Sequence, residues 1–175
     1  MKYWIVLALA ATATPALAQE MPAAAPAPVC PATPAPLPTE LAGWSSATSV
    51  GAAATAAGLA KAKAPIGSRA DVALLPAAQV QFVAPEKAPA ADSYSGLVGF
   101  SVLAARTYRV ALGAAAWIDV VRDGKPIVSS AHSHGVACTA VRKMVDFALT
   151  PGDYVLQISS NRTATISVMI LPLQP

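Results

Sequence analysis

The chain has 175 residues, of which 12% are charged and 55% are hydrophobic, and its formal net charge is +3. Its lysines and arginines are scattered, which excludes nucleic acid as a partner, because binding to phosphates requires clustered basic residues. The length is sufficient for one compact core and too short for two.

The first residues predict export. Lys2 gives a positively charged start, an apolar run follows over residues 4–11, and Ala16-Leu17-Ala18 has the small-x-small pattern of a cleavage site. The apolar run is too short to cross a bilayer, which needs about 20 residues. We therefore interpret residues 1–18 as a signal peptide cleaved after Ala18, which removes Lys2 and lowers the net charge to +2. No later apolar run reaches transmembrane length, so the expected location is periplasmic or extracellular.

The next segment, Met21–Pro38, is rich in proline and alanine and has no hydrophobic period. Such a composition favours an extended, polyproline-like strap and cannot build a core by itself. Residues 19–65 as a whole are interpreted as this strap followed by a low-complexity linker. Within the linker, alanine favours a helix over Ala52–Lys63.

The strap carries Cys30, and the only other cysteine of the chain is Cys138. Exported thiols oxidise, and two cysteines permit a single intramolecular pairing, so a Cys30–Cys138 disulfide is predicted. A bridge between positions so far apart stabilises the fold by roughly 4–5 kcal/mol on the loop-entropy model. The alternative is a pair of free thiols.

From Ile66 the hydrophobic period changes to two, which is typical of half-buried strands. Turn signals separate the strands: Asp123-Gly124 fits a hairpin turn, and Pro151-Gly152 fixes another corner. This pattern predicts an all-β domain over residues 66–175, an antiparallel β-sandwich of the jelly-roll or Greek-key type. The predicted strands are Ala70–Leu75, Ala78–Ala84, Gly96–Leu103, Thr107–Leu112, Ala116–Val121, Pro126–Ala131, Lys143–Leu149, Asp153–Ser159 and Ala164–Leu171.

Alternation within the predicted strands assigns side chains to the two faces of a sheet. Val145, Phe147 and Leu149 are predicted to point toward the core. Trp117 and Asp119 are predicted to share a face, where Asp119 is either a solvated strand carboxylate or part of a site.

His132 and His134 are the only histidines, and on a strand their i, i+2 spacing would place both imidazoles on one side. Such a pair can chelate zinc, copper or iron, and Asp119 or Asp146 could complete an iron site of two histidines and one carboxylate. The alternative is an edge or loop pair with one imidazole hydrogen-bonded to neighbouring backbone. The preferred expectation is that no cofactor is bound, because His-x-His often arises by chance and no second ligand cluster accompanies it.

The segment Gly96–Leu171 resembles the pre-peptidase C-terminal domains of secreted bacterial proteins. The most specific element of this resemblance is an alternating apolar strand, then the sequence Pro-Gly-Asp-Tyr at residues 151–154, then a second alternating strand. The resemblance implies a small β-sandwich that acts as an accessory module and associates with a surface or a substrate.

The whole chain, including "HSHGVACTAVRKMVDF" at residues 132–147, is also similar to short exported proteins that carry the label homogentisate 1,2-dioxygenase. This resemblance implies a non-haem iron dioxygenase. Enzymes of that name bind iron through two histidines and a glutamate. The glutamates of this chain, Glu20, Glu40 and Glu86, are all far from the histidines in the sequence.

Taken together, these features favour an exported, non-catalytic β-sandwich that binds a surface, a partner protein or a small ligand. No serine lies in a Gly-x-Ser-x-Gly motif, and no glycine-rich loop is placed to cradle a phosphate. The alternative function is an iron-dependent dioxygenase that uses His132 and His134.

Overall fold

A computed structural model describes residues 30–84 and 89–174 of the chain. The predicted cleavage site and the first part of the strap lie outside these residues. Within them, eleven strands form two sheets, which confirms the all-β prediction. The helices of this part are short 3-10 turns, and none has the length and hydropathy of a membrane span. The 3-10 helices are Thr39–Ser45, Ala56–Gly58 and Ala77–Gln79, and the strands are β1 (Ala47–Gly51), β2 (Arg69–Ala73), β3 (Leu75–Pro76), β4 (Tyr94–Val102), β5 (Arg106–Leu112), β6 (Trp117–Arg122), β7 (Lys125–Pro126), β8 (Ala131–His134), β9 (Lys143–Leu149), β10 (Gly152–Asn161) and β11 (Thr165–Pro172).

The two sheets share one core, as expected for a sandwich. The strand order is β1-β2-β11-β5-β9-β8 in the first sheet and β3-β4-β10-β6-β7 in the second. Neighbouring strands are antiparallel, except that β1 and β2 run parallel. Strands β4, β5 and β6 alternate between the sheets, so the chain builds both sheets together.

The core between the sheets follows the predicted alternation. Val145, Phe147 and Leu149 of β9 are buried in it, together with Phe100 and Leu156 of the second sheet. Full burial of an apolar side chain of this size contributes about 1.5–3 kcal/mol. The alternation of apolar residues in the sequence therefore corresponds to burial in this shared core.

One side of the sandwich is closed by the segment between β1 and β2. The predicted helix over Ala52–Lys63 is wrong, because the backbone of this segment bonds to the edge of β4 instead. Ala53 and Leu97 exchange two backbone hydrogen bonds, of 2.9 and 3.0 Å, and the amide of Gly99 donates to Ala62 O at 2.7 Å. This pairing covers the β4 edge, and we call this side of the sandwich the closed side.

Ordered sheet structure also begins before the expected domain start at residue 66. Strand β1 lies within the segment interpreted as a linker and pairs in register with β2. Val50 of β1 and Ala64 are buried in the same core as the later strands. The residues Ala47–Gly51 are therefore part of the sandwich.

The predicted strand Ala78–Ala84 is also wrong. Residues 77–79 form a 3-10 turn. Residues 80–84 belong to none of the strands that the structure describes. Instead, Oε1 of Gln157 accepts hydrogen bonds from the amides of Val83 and Ala84, at 3.0 and 3.3 Å. Because Gln157 lies on β10, this segment is held on the second sheet through a side chain and through apolar contacts.

The predicted Cys30–Cys138 disulfide is confirmed, with 5.2 Å between the two Cα atoms. The strap runs along the bridged loop, where the amide of Ala35 donates to Cys138 O at 2.8 Å. The 3-10 helix that follows the strap buries Leu41 and Trp44 against the first sheet, in a cluster separate from the main core. A long-range disulfide of this kind is typical of proteins in a non-reducing compartment.

The opposite side of the sandwich is open. Asp123 and Gly124 both have positive φ, 51° and 72°, as a type I′ hairpin requires, and they join β6 to the short strand β7. The predicted single strand Pro126–Ala131 is wrong, because β7 ends at Pro126 and residues 127–130 cross to the first sheet, where β8 begins. Strand β7 therefore covers only one end of β6, and we call this side the open side.

Candidate functional site

A cleft of about 410 Å³ lies on the open side, where β6 of the second sheet faces β8 and β9 of the first. This volume is within the range of about 300–1,000 Å³ that is typical of small-ligand sites. Trp117 stands at the rim with 57% of its surface exposed. We call this site the Trp117 cleft, and it is formed mainly by Trp117, Ile118, Ile127, Lys143, Val145 and Phe147.

One wall of the Trp117 cleft is an unpaired stretch of strand edge. Strand β7 pairs only with Val121 and Arg122, and the amide of Ile127 donates to Val120 O at 2.7 Å. In an antiparallel sheet the N–H and C=O groups of alternate residues point to the same edge, so those of Ile118 point the same way as those of Val120. On this edge of β6, none of the described strands pairs with Ile118. The N–H and C=O of Ile118 are therefore one backbone donor and one backbone acceptor that face the cleft.

Lys143 stands at one end of this edge. Its Nζ donates to Ala116 O at 2.9 Å and lies 5.3 Å from the centroid of the Trp117 ring, a cation–π distance. Burial lowers the pKa of Lys143 below its ordinary 10.5, and the charge of Asp119 opposes this shift. No carboxylate of the described residues lies within 4.0 Å of this Nζ, so the ammonium is partly buried without a close ion pair.

Asp119 shares a strand face with Trp117, as predicted, and its register partner on β10 is Gln157. Burial raises the pKa of Asp119 above its ordinary 3.8, whereas hydrogen bonds with Trp117 and Gln157 and the charge of Lys143 lower it. The carboxylate is therefore partly buried beside Trp117 and Gln157.

Both histidines lie on β8, the edge strand of the first sheet. His132 is opposite Val145 and His134 is opposite Lys143, so the two imidazoles project to one side of the strand, as their spacing predicts. Both residues are exposed, and His132 lines the Trp117 cleft. Thus His132 and Asp119 face the same cleft from different sheets.

Asp146, the other carboxylate considered for a metal site, is one residue out of phase with the histidines and lies on the opposite face of β9. Arg109 binds it with two hydrogen bonds, Nε to Oδ1 at 2.8 Å and Nη2 to Oδ2 at 2.9 Å. Arg109 also donates to Glu40 of the first 3-10 helix at 2.9 Å. The structure therefore does not bring Asp146 to the histidines, and the described residues contain no group of three or more His, Cys, Asp or Glu that could hold a metal ion.

A larger cleft of about 640 Å³ lies near the β6–β7 turn. Its arginine, Arg122, is already bound: it donates to Thr150 Oγ1 at 2.8 Å and to Tyr154 Oη at 3.1 Å. The same guanidinium lies over the Tyr154 ring at 5.4 Å and near Asp123 at 3.8 Å. The guanidinium of this cleft is therefore held by the protein's own side chains.

The sequence pointed to His132 and Asp119 but not to the cleft between them. Lys143 belongs to the same alternation as the buried Val145, and this signal could have placed its ammonium on the inner side of β9. The free edge at Ile118 had no signal in the sequence, because it depends on where β7 stops pairing.

No protein-family model, curated protein or solved structure matches this chain. The use of the Trp117 cleft is therefore inferred from the chemistry of its own residues.

Proposed function

We propose that this chain is an exported, non-catalytic β-sandwich module that binds a partner or a small ligand in the Trp117 cleft. The observation that carries the proposal is the meeting of an exposed indole ring, an unpaired strand edge and a partly buried ammonium in one cleft. Ligand sites commonly combine apolar walls with a few polar groups that fix the orientation of the ligand. The resemblance of Gly96–Leu171 to accessory modules supports the same function.

Export is supported by two independent features. The sequence begins with a signal-like segment that ends in Ala16-Leu17-Ala18. The Cys30–Cys138 disulfide requires an environment in which thiols oxidise. Together they favour the periplasm or the extracellular space over the cytosol.

The binding proposal is tested with uncharged probes and ¹⁵N-labelled, disulfide-bonded protein. Titration with indole and with cyclohexanol should shift the amide signals of Ile118 and Val145 and the indole N–H signal of Trp117. Trp117→Ala should weaken binding of both probes about tenfold, which corresponds to about 1.4 kcal/mol.

The matched control is Leu103→Ala. It also removes an exposed apolar side chain, 92% exposed, but Leu103 does not line the cleft. This variant should bind both probes as the unchanged protein does. Shifts that cluster away from the Trp117 cleft, or equal binding by Trp117→Ala, would show that the cleft is not the binding site.

Metal analysis separates this function from the iron-dependent dioxygenase, which would use His132 and His134. Asp146 is committed to Arg109, so it cannot supply the carboxylate of such a site without breaking an ion pair. We expect purified protein to lack stoichiometric iron. One iron per chain, lost in His132→Ala or His134→Ala, would favour the dioxygenase instead.

A further inference from the structure

The polar groups of the Trp117 cleft are arranged in order along the edge of β6. The ammonium of Lys143 binds Ala116 O at one end, the N–H and C=O of Ile118 follow, and β7 begins to pair at Val121. A ligand that lies along this edge therefore meets a cation, then a backbone donor and acceptor, and then the end of the hairpin.

An extended peptide matches the middle of this series. One residue of an added antiparallel strand can exchange two hydrogen bonds with Ile118, as neighbouring strands do in a sheet. Its side chain would then lie on the same face as Ile118, where Val145 and Phe147 line the cleft. The side chain of the next residue would lie on the other face, beside Trp117.

The charge of the cleft indicates which part of a peptide it accepts. Lys143 is partly buried, and Asp119 of the same cleft acts on it without forming a close ion pair, so a ligand carboxylate can still bind the ammonium directly. A peptide antiparallel to β6 runs from the Val121 end toward the Ala116 end. Its C-terminus therefore arrives at Lys143.

We infer that the Trp117 cleft binds the C-terminal residues of an extended peptide, with the terminal carboxylate at Lys143 and the penultimate residue hydrogen-bonded to Ile118. This inference rests on the proposed function and names the ligand class for that site. The last side chain lies beside Trp117, and the penultimate one enters the apolar part of the cleft.

Three tripeptides test the inference on disulfide-bonded protein, by Trp117 fluorescence or amide shifts. The first is acetyl-Thr-Val-Leu with a free carboxylate, and the second is its C-terminal amide. The third carries an N-methyl group on the valine, which removes the donor for Ile118 O. We expect the free acid to bind at least about tenfold more tightly than either of the other two peptides.

Lys143→Met should abolish the difference between the acid and the amide, because the remaining interactions are common to both peptides. The matched control is Lys61→Met, an exposed lysine that does not line the cleft, and it should keep the tenfold difference. Equal unfolding midpoints of the two variants would show that the loss at Lys143 is not a folding defect.

Equal affinities of acid and amide, no effect of N-methylation, or absence of peptide binding would each overturn the inference. So would binding of 3-methylbutanoate as tight as that of the peptide, because the cleft would then be a site for small carboxylates. If indole still maps to the cleft in any of these cases, the peptide inference fails and the proposed function stands. If indole also fails to bind there, both fail.

Discussion

At the scale of single residues, charges govern both faces of β9. On the inner face Lys143 keeps its ammonium partly buried beside Trp117, with Asp119 too distant for a close ion pair. On the outer face Asp146 and Arg109 satisfy each other with two hydrogen bonds. The ammonium of Lys143 can therefore still bind a ligand, whereas the charges of Arg109 and Asp146 neutralise each other and stabilise the fold.

The raised pKa of Asp119 predicts that stability depends on pH. A folded-state pKa above the ordinary 3.8 means that the stabilising contribution of the neutral acid is complete below pH 3.8 and is lost as the pH rises through the folded pKa. Asp119→Asn imitates the neutral acid, so its stability relative to the unchanged protein should improve between pH 3 and pH 7. Because the group is partly exposed, we expect an improvement of at most about 1 kcal/mol.

Urea unfolding at the two pH values measures this difference, and effects of the amide that do not depend on pH cancel. Asp123→Asn is the matched control, because the Asp123 side chain is 90% exposed and its charge stays hydrated. A relative stability of Asp119→Asn that is constant, or that falls toward pH 7, would contradict the burial of this carboxylate.

The ion pair on the outer face predicts a larger effect. The side chains of Arg109 and Asp146 are only 19% and 11% exposed, so Asp146→Ala leaves a guanidinium with one weaker, exposed partner, Glu40. We expect a loss of about 3 kcal/mol in the free energy of unfolding, the usual result of breaking a buried pair. The double variant Arg109→Met, Asp146→Met should recover most of this loss, because it removes both charges. If Asp146→Ala lies within about 0.5 kcal/mol of the unchanged protein, the pair contributes no more than an exposed ion pair does, which would contradict its role.

At the scale of elements, the period-two pattern predicted β4, β5, β6, β9, β10 and β11 closely, because each has one face in the shared core. The same pattern failed at Ala78–Ala84. In this segment apolar side chains contact the sheet, but the backbone amides donate to the side chain of Gln157 instead of pairing with a strand. The prediction failed because alternation of apolar residues indicates burial and does not by itself indicate strand pairing. The alanine-rich stretch failed as a helix because the unpaired edge of β4 offered its backbone better partners.

The candidate site was predicted only in part for a related reason. Residue types and spacing indicated that His132 and His134 share one side of a strand, and this is confirmed. The partner of Asp146 could not be read, because Arg109 lies 37 residues earlier and meets it only through the pairing of β5 with β9. Sites made by neighbouring strands require the strand order, and local sequence does not contain it.

The strap predicts how the disulfide contributes to stability. The two cysteines are 108 residues apart, so removing the bridge with Cys30→Ser and Cys138→Ser should cost about 5 kcal/mol on the loop-entropy model. Release of the strap should also loosen the 3-10 helix that buries Trp44, which is only 4% exposed. Urea unfolding followed by tryptophan fluorescence measures both effects, and an unchanged unfolding midpoint with Trp44 still buried would contradict them.

At the scale of the whole molecule, the two sides of the sandwich differ in what they leave exposed. On the closed side, the chain segment from Ala52 to Ala64 covers the edge of β4. The open side ends in the short strands β7 and β8, and exposed edges of this kind are where proteins accept an added strand. The binding proposed for the open side therefore depends on how the whole chain is distributed over the two sheets.

The proposed export predicts a defined N-terminus for the mature chain. Mass spectrometry of protein recovered outside the cytosol should find an N-terminus at Gln19, because the processing site accepts small residues at Ala16 and Ala18. Ala18→Asp should block processing, whereas Ala18→Gly should be tolerated. An exported species that retains Met1 would contradict cleavage.

The central position of β11 has a consequence for the order in which the fold can form. This strand is the last that the structure describes, yet it lies between β2 and β5 and carries the pairing that connects β1 and β2 to the rest of their sheet. A chain still emerging from the ribosome or crossing a membrane can form the hairpin at Asp123-Gly124, but it cannot close the first sheet. Contacts between such distant segments are slow to form, and until then the strands on either side of the gap have bare edges. Until β11 is available, the edges of β2 and β5 that it covers stay unpaired, and such edges are prone to pair with other chains.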